Sequence, residues 1–294
     1  MSSAVSKTDN DMRYILTLSC QDVRGIVAAV TGFLAENHGF IIESAQFGDA
    51  STCKFFLRIE FKVEQAGPSM DRLKKSFYEQ VAQRFNMQWQ IADKNRKSRV
   101  LIMVSKFGHC LNDLLYRYAT QQLAIDIPAI VSNHKDWEHA ANWHNIPFYH
   151  CPVEQGQKQA QENQVWDIIQ RHEIDVVVLA RYMQVLSEEM CGRLSGKAIN
   201  IHHSFLPSFK GAKPYQQAFD RGVKLIGATA HYVTTDLDEG PIIEQEVARV
   251  DHTHAPENLT AIGRDIECLV LARALKFHTE HRVLLNGHKT VVFK

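Results

Sequence analysis

Asn200, His202 and Asp238 are the residues of this chain whose types and spacing best suit chemistry at a carbonyl carbon. The first two lie in Asn200-Ile201-His202-His203-Ser204, after the apolar lead Lys197-Ala198-Ile199, and Asp238 follows 36 residues after His202 in Asp236-Leu237-Asp238-Glu239-Gly240. Residues two apart on a strand share a face, so Asn200 and His202 project together while Ile201 packs the other way. An amide N–H can donate to an oxygen as it gains charge, and an imidazolium can do the same or protonate a leaving nitrogen. A carboxylate can orient the imidazole and raise its basicity, or take a proton from attacking water; the residues leave both uses of Asp238 open. Pro207 lacks a donor for the ladder and closes the strand, and Gly211 permits the turn beyond it. The groups then sit at a strand's C-terminal end, where open α/β sheets bind ligands.

Taken singly, each type has an ordinary structural use: a hydrogen-bonded histidine in apolar sequence, an asparagine before a loop, an aspartate opening a turn. Their combination, with Ser204, Leu206 and Pro207 between them, resembles the signature of the formyltetrahydrofolate-dependent formyltransferase family, Asn-x-His-x-Ser-x-Leu-Pro with a later Asp-x-Asp-x-Gly loop. The resemblance runs from about Arg99 to about Phe277 and includes Leu179-Ala180-Arg181-Tyr182-Met183, similar to the family's pterin-binding strand end. It implies that Asn200, His202 and Asp238 are catalytic. It also implies that Leu179, Arg181, Met183, Val185 and Leu186, with Gly240, bind a folate substrate.

Ser105-Lys106 with His109-Cys110-Leu111, and the long N-terminal extension, narrow the resemblance to the family's hydrolytic branch. There water takes the place of an amine. The implied reaction is hydrolysis of a linear amide C–N bond: 10-formyltetrahydrofolate and water give formate and tetrahydrofolate. It supplies formate for purine synthesis and balances one-carbon folate pools, with no cofactor and no metal. The alternative is transfer of the formyl group to an amine such as glycinamide ribonucleotide. In enzymes that do so, a glycine- and serine-rich turn cradles phosphate on backbone N–H groups. Here Ser105-Lys106-Phe107-Gly108-His109-Cys110-Leu111 holds one glycine, and its bulkier side chains are expected to obstruct a phosphate and leave space for water. His109 and Cys110 either start a helix packed on the sheet or act directly. Lys210 either screens anionic substrate or is simply solvated, and stays outside the catalytic set. A third reading, a folate-binding amino-acid sensor without catalysis, conflicts with the intact triplet.

At 294 residues the chain has room for two domains, each with its own core. Thirty-three basic against 33 acidic side chains leave no net charge, which argues against nucleic acid as a partner. The polar opening Met1–Asn10 lacks the apolar core of a signal peptide and no stretch approaches membrane-spanning length, so a cytoplasmic protein without a membrane partner is expected. Six cysteines with no Cys-x-x-Cys pair point to reduced, mostly buried thiols. Among 15 histidines, His202 and His203 are adjacent and expected to diverge on a strand, and no His-x-x-x-His accompanies a carboxylate, so no metal site is expected.

The elements that position the triplet follow an N-terminal module. Tyr14–Ser19 reads as a strand; Asp22 is placed to cap a helix with Ile26, Val30, Phe33 and Leu34 on one face, ended by Gly39. Phe40–Phe47 resumes a strand. From Phe55 to Lys62 apolar and polar residues alternate, which predicts a half-solvated strand. A helix through Met70, Leu73, Phe77 and Val81 and a strand through Met87, Trp89 and Ile91 complete a βαββαβ order. This ferredoxin-like unit, residues 11–93, resembles an ACT domain, which implies an amino-acid effector, glycine or methionine, at the turn Asp22-Val23-Arg24-Gly25. A purely structural role in pairing subunits is compatible. Phe55 and Phe56 are expected to leave an apolar sheet that a homo-oligomer, dimer or tetramer, covers.

Residues 94–98 are charged and read as a linker. In 99–294, apolar runs at Val100–Val104, Ala129–Ser132, Phe148–Cys151, Ile174–Leu179 and Ala198–Ile201 alternate with helical segments, and the last three read as strands buried on both faces. The expected architecture is α/β, a doubly wound, mostly parallel sheet. Leu225–Val233 and Ile242–Val250 add strands around the Asp238 loop, Pro256–His278 reads as a long helix, and Asn286-Gly287 signals a terminal hairpin.

Overall fold

A computed structural model describes residues 12–64, 67–206 and 214–294, so Met1–Asn10, Pro207, Lys210 and Gly211 lie outside the described residues. The chain divides into two compact units, one running to Arg96 and taking in Glu280–Asn286 and Phe293–Lys294, the other comprising Lys97–Thr279 and Gly287–Val292.

The first unit runs β1 (Met12–Gln21), α1 (Ile26–Glu36), β2 (Gly39–Asp49), β3 (Lys54–Val63), α2 (Met70–Phe77) and β4 (Gln88–Asp93). Its antiparallel sheet has the order β2-β3-β1-β4, which matches the expected βαββαβ arrangement and fits an ACT-like domain. Ile26, Val30, Phe33 and Leu34 of α1 are buried, as their spacing requires. They pack in one core with Leu16, Leu57 and Phe77.

Three local expectations change. Gly25, at φ 92, holds the cap position of α1 with no side-chain cap, while Asp22 donates its backbone N–H to Cys53 O at 2.9 Å; Asp22 does not cap the helix. That helix ends at Glu36, and Gly39 opens β2 instead, where a Cβ would stand 2.9 Å from Leu34 O. β3 is buried on both faces rather than half-solvated, with Phe56 fully buried and Arg58 and Glu60 nearly so. Its polar side chains are satisfied internally. Arg58 Nη1 pairs with Glu43 at 2.9 Å, its Nη2 donates to Glu280 O at 3.2 Å, and Lys94 pairs with Glu60. Phe55 and Phe56 are buried and do not form the exposed apolar sheet expected of them.

The second unit continues with β5 (Ser98–Val104), α3 (His109–Ala119), β6 (Ile125–Ser132), α4 (Glu138–Trp143), β7 (Phe148–His150), α5 (Lys158–Arg171), β8 (Val176–Leu179), α6 (Glu188–Arg193) and β9 (Ala198–His202). It is completed by α7 (Pro214–Asp220), β10 (Leu225–Tyr232), β11 (Ile242–Arg249) and α8 (Pro256–Thr279). β12 (Val283–Asn286) and β13 (Lys289–Val292) form the terminal hairpin around Gly287, at φ 64. The seven-stranded sheet has the order β11-β10-β9-β8-β5-β6-β7, parallel from β9 to β7 and antiparallel beyond. β8 is fully buried, as its run of valines dictates, but β7 is the edge strand and is only half-buried, because it has a neighbour on one side alone.

The order of strand addition reverses between the parallel strands β5 and β8: from β5 the sheet grows through β6 and β7 on one side and through β8 and β9 on the other. Ser105 locks this point. Its N–H donates to Arg181 O at 3.3 Å, its hydroxyl donates to Asn133 Oδ1 at 2.7 Å, and it accepts from Met183 N at 2.9 Å. The exits of three strands are thus tied together where doubly wound sheets open a crevice. Among the described residues no disulfide forms, and no helix is long and apolar enough to cross a membrane.

Candidate active site

Asn200 and His202 lie on β9 and share its face, and β9 ends at His202. Antiparallel pairing sets Asn200 opposite His231 and His202 opposite Thr229 of β10. The strand exit is pinned by Thr229, whose Oγ1 accepts from Leu206 N at 3.1 Å and donates to Ser204 O at 3.0 Å.

Beyond β10 the chain loops out and returns as β11. Tyr232 N donates to Pro241 O at 2.9 Å, and Asp238 adopts the left-handed φ of 58, which aspartate tolerates. That conformation brings Asp238 Oδ1 to 3.1 Å from His202 Nδ1 and 3.8 Å from His231 Nε2. The structure thus gathers the three residues read from the sequence. The hydrogen bond from His202 holds the Asp238 carboxyl well below the usual carboxylate range against the upward push of burial. With Nδ1 turned to Asp238, His202 leaves Nε2 buried and without a hydrogen-bond partner among the described residues.

His231 was not singled out by sequence reasoning. Its Nδ1 lies 2.9 Å from Tyr232 O, a group that only accepts, so Nδ1 carries the proton. In the neutral ring Nε2 then accepts from Asn200 Nδ2 at 3.3 Å, which fixes which way the amide faces. The signal available was period two along β10, where Thr229 and His231 share a face.

His203 departs from expectation. The strand ends at His202, so the two rings do not diverge but stack, with centroids 4.9 Å apart. Burial, followed by the charges of Arg181 and His202, pushes His203 down to about 4, and it is neutral at pH 7.

A cavity of about 270 Å³ opens at this strand end. Asn200, His202 and Asp238 line it together with Leu179, Arg181, Met183, Val185 and Leu186. The segment that carries Leu179 to Leu186 is braced by α5: Ser187 N donates to Glu162 Oε1 at 2.7 Å, and Gln161 Nε2 donates to Tyr182 OH at 3.0 Å. An apolar slot with few polar groups suits a flat heteroaromatic ring. Gly240 does not line the cavity. A Cβ there would stand 1.7 Å from Tyr232 O, so the glycine permits the loop to press against β10.

Glu267, on α8, is a second group the sequence reading passed over. Nearly fully buried, it meets His109 Nε2 at 2.8 Å, Arg181 Nε at 3.4 Å and Tyr215 OH at 2.7 Å. Burial drives its carboxyl upward, but these partners outweigh it and the net shift is downward. His109, Cys110 and Glu267 bring donor atoms within 4.8 Å of one another, the one cluster of metal-ligating type among the described residues. Both Glu267 oxygens are already engaged, so the cluster reads as an internal ion-pair network. In the first unit, Val23 is exposed and Asp22–Gly25 form the turn entering α1.

The formyl transferase family matches residues 98–275. The chain is 50% identical over 283 residues to formyltetrahydrofolate deformylase of Corynebacterium sp. (strain P-1), covering 96% of this chain and 99% of that one. It is 45% identical to the enzyme of the same name from Bacillus subtilis (strain 168), over 97% of this chain and 95% of its relative. The crystal structure of formyltetrahydrofolate deformylase from Burkholderia mallei superposes with a TM-score of 0.92 at 52% identity, over 96% of this chain and all of that one. With the sheet, the cavity and its polar groups in place, these likenesses run the length of both units, and the chain belongs to the formyltetrahydrofolate deformylase family.

Proposed function

We infer that the chain hydrolyses 10-formyltetrahydrofolate to formate and tetrahydrofolate. The observation that carries this reading is the convergence of Asn200, His202 and Asp238 on one cavity that Leu179, Met183, Val185 and Leu186 also line. The formyl group resists attack because the folate nitrogen's lone pair is delocalised into its carbonyl. Attack by water places charge on the carbonyl oxygen. In the proposed roles, Asn200 Nδ2 and His202 Nε2 donate to that oxygen, and His202 passes a proton to the leaving nitrogen. Asp238 fixes the His202 ring through Nδ1 and is ionised across the working pH range. Being ionised it has a vacant site for a proton of the attacking water, while the hydrogen bond that holds it low weakens it as a base and suits it to steadying the His202 ring. Leu179, Arg181, Met183, Val185 and Leu186 hold the pterin. No step calls for a cofactor.

The test is formate release from 10-formyltetrahydrofolate by the purified protein, with and without amine acceptors. Stoichiometric formate in water alone supports hydrolysis. Formate that appears only with an amine present, or not at all, would refute it.

For the first unit we propose that glycine or methionine binds at Asp22–Gly25 and that the protein is a homo-oligomer. The ACT-like fold and the exposed turn support this reading. Calorimetric titration that detects neither amino acid removes the effector.

A further inference from the structure

Arg181 occupies a left-handed backbone conformation, φ 63, which glycine adopts freely and a long side chain resists by about 1–2 kcal/mol. Strain of this kind persists where surrounding structure enforces it and commonly marks function. Here it directs a guanidinium from the exit of β8 to Glu267, buried on α8. Tyr215 reaches the same carboxylate across Gly263, where a Cβ would lie 2.1 Å from the tyrosine ring. His109, the first residue of α3, closes the network from the β5 side.

The turn between β5 and α3 is covered at Gly108. The Trp137 indole lies 2.0 Å from where a Gly108 Cβ would stand, and its Nε1 donates to Lys106 O at 3.1 Å. The Arg181 guanidinium lies 5.7 Å from the centre of the Phe107 ring. Arg181 lines the same cavity as His202 and His203, whose rings stack, and its guanidinium is held from behind by Glu267. The network therefore reaches the cavity through Arg181.

We propose that Arg181, held in place by Glu267 and its partners His109 and Tyr215, forms an acceptor filter that narrows the cavity wall beside the triplet so that water reaches the formyl carbon and a primary amine does not. The inference rests on the hydrolytic reading above and assigns what selects the attacking molecule. The residues are specificity determinants, distinct in role from the triplet.

The test is the product partition when glycinamide is added to 10-formyltetrahydrofolate with wild-type protein, Arg181→Gly, His109→Ala and Glu267→Gln. In transfer, the glycinamide nitrogen bonds to the formyl carbon, the bond from that carbon to the folate nitrogen breaks, and the amine proton moves to that nitrogen. N-formylglycinamide and tetrahydrofolate result. Arg181→Gly suits the left-handed backbone, and Glu267→Gln preserves shape if loss of a cation destabilises the fold. Wild-type protein is expected to yield formate with no more than a trace of N-formylglycinamide, and the variants an amine-to-water product ratio at least tenfold above that trace. A ratio unchanged in all three variants, or loss of both products in all three, overturns the filter. Wild-type protein that releases no formate overturns the hydrolytic reading instead.

Discussion

His202 turns Nδ1 to Asp238 Oδ1 at 3.1 Å and keeps Nε2 buried without a hydrogen-bond partner among the described residues. A buried nitrogen left unpaired costs about 1–3 kcal/mol, a penalty that a substrate oxygen or leaving nitrogen at that position relieves.

Asp238→Asn keeps the shape and removes the charge that steadies the imidazolium and receives a proton. The expected loss in kcat is about 10²–10⁴-fold, with KM changed by no more than a few-fold, because the role belongs to the transition state. Steady-state formate release measures both constants. A kcat within a few-fold of wild type removes Asp238 from the mechanism.

His231 orients the Asn200 amide through Nε2, so the two residues are expected to act as a unit. Asn200→Ala should lower kcat about 10²–10³-fold, the usual consequence of losing one oxyanion donor. His231→Leu should lower it about tenfold alone and add almost nothing in the Asn200→Ala background. His231→Gln, which restores an acceptor, should recover part of the loss. Additive effects in the double-mutant cycle would show that His231 works independently of Asn200.

His203, pushed down to about 4 by burial and the neighbouring cations, makes stability depend on pH. Between that value and its unfolded value near 6.5 the unfolded chain binds the extra proton. The contribution is therefore complete above 6.5 and falls as pH drops toward 4. At pH 5 the loss from this residue amounts to about 2 kcal/mol. Urea midpoints at pH 7 and pH 5 should separate more in wild type than in His203→Gln. Equal separations would mean that His203 is not held neutral.

Periodicity revealed most of the framework and the face shared by Asn200 and His202, because spacing along one strand is a local property. Asp238 was visible only through the signature. The cross-strand partner His231 depends on antiparallel register, and the Glu267 network on side chains far apart in sequence. Its one local trace is a carboxylate among the buried residues Gly263, Val270, Leu271 and Ala274 of α8. Alternation in β3 reported residue polarity and said nothing of coverage, since Arg58 finds its acceptor at Glu280 O, 222 residues away. The apolar Phe148–Tyr149 likewise gave no warning that β7 is an edge.

Gly240 separates a packing role from a binding role. A methyl at this position would stand 1.7 Å from Tyr232 O and 3.1 Å from His231 Nδ1, so Gly240→Ala must lift the returning loop off β10. That loop carries Asp238, which lies two residues earlier and depends on it for the approach to His202. Displacement of about 1 Å at a reacting group typically costs on the order of 10²-fold in rate. Gly240→Ala is therefore expected to lower kcat to that degree and to depress thermal stability, while affinity for tetrahydrofolate, measured by calorimetry, changes little because the glycine does not line the cavity. Loss of tetrahydrofolate binding with kcat preserved would return Gly240 to the binding set.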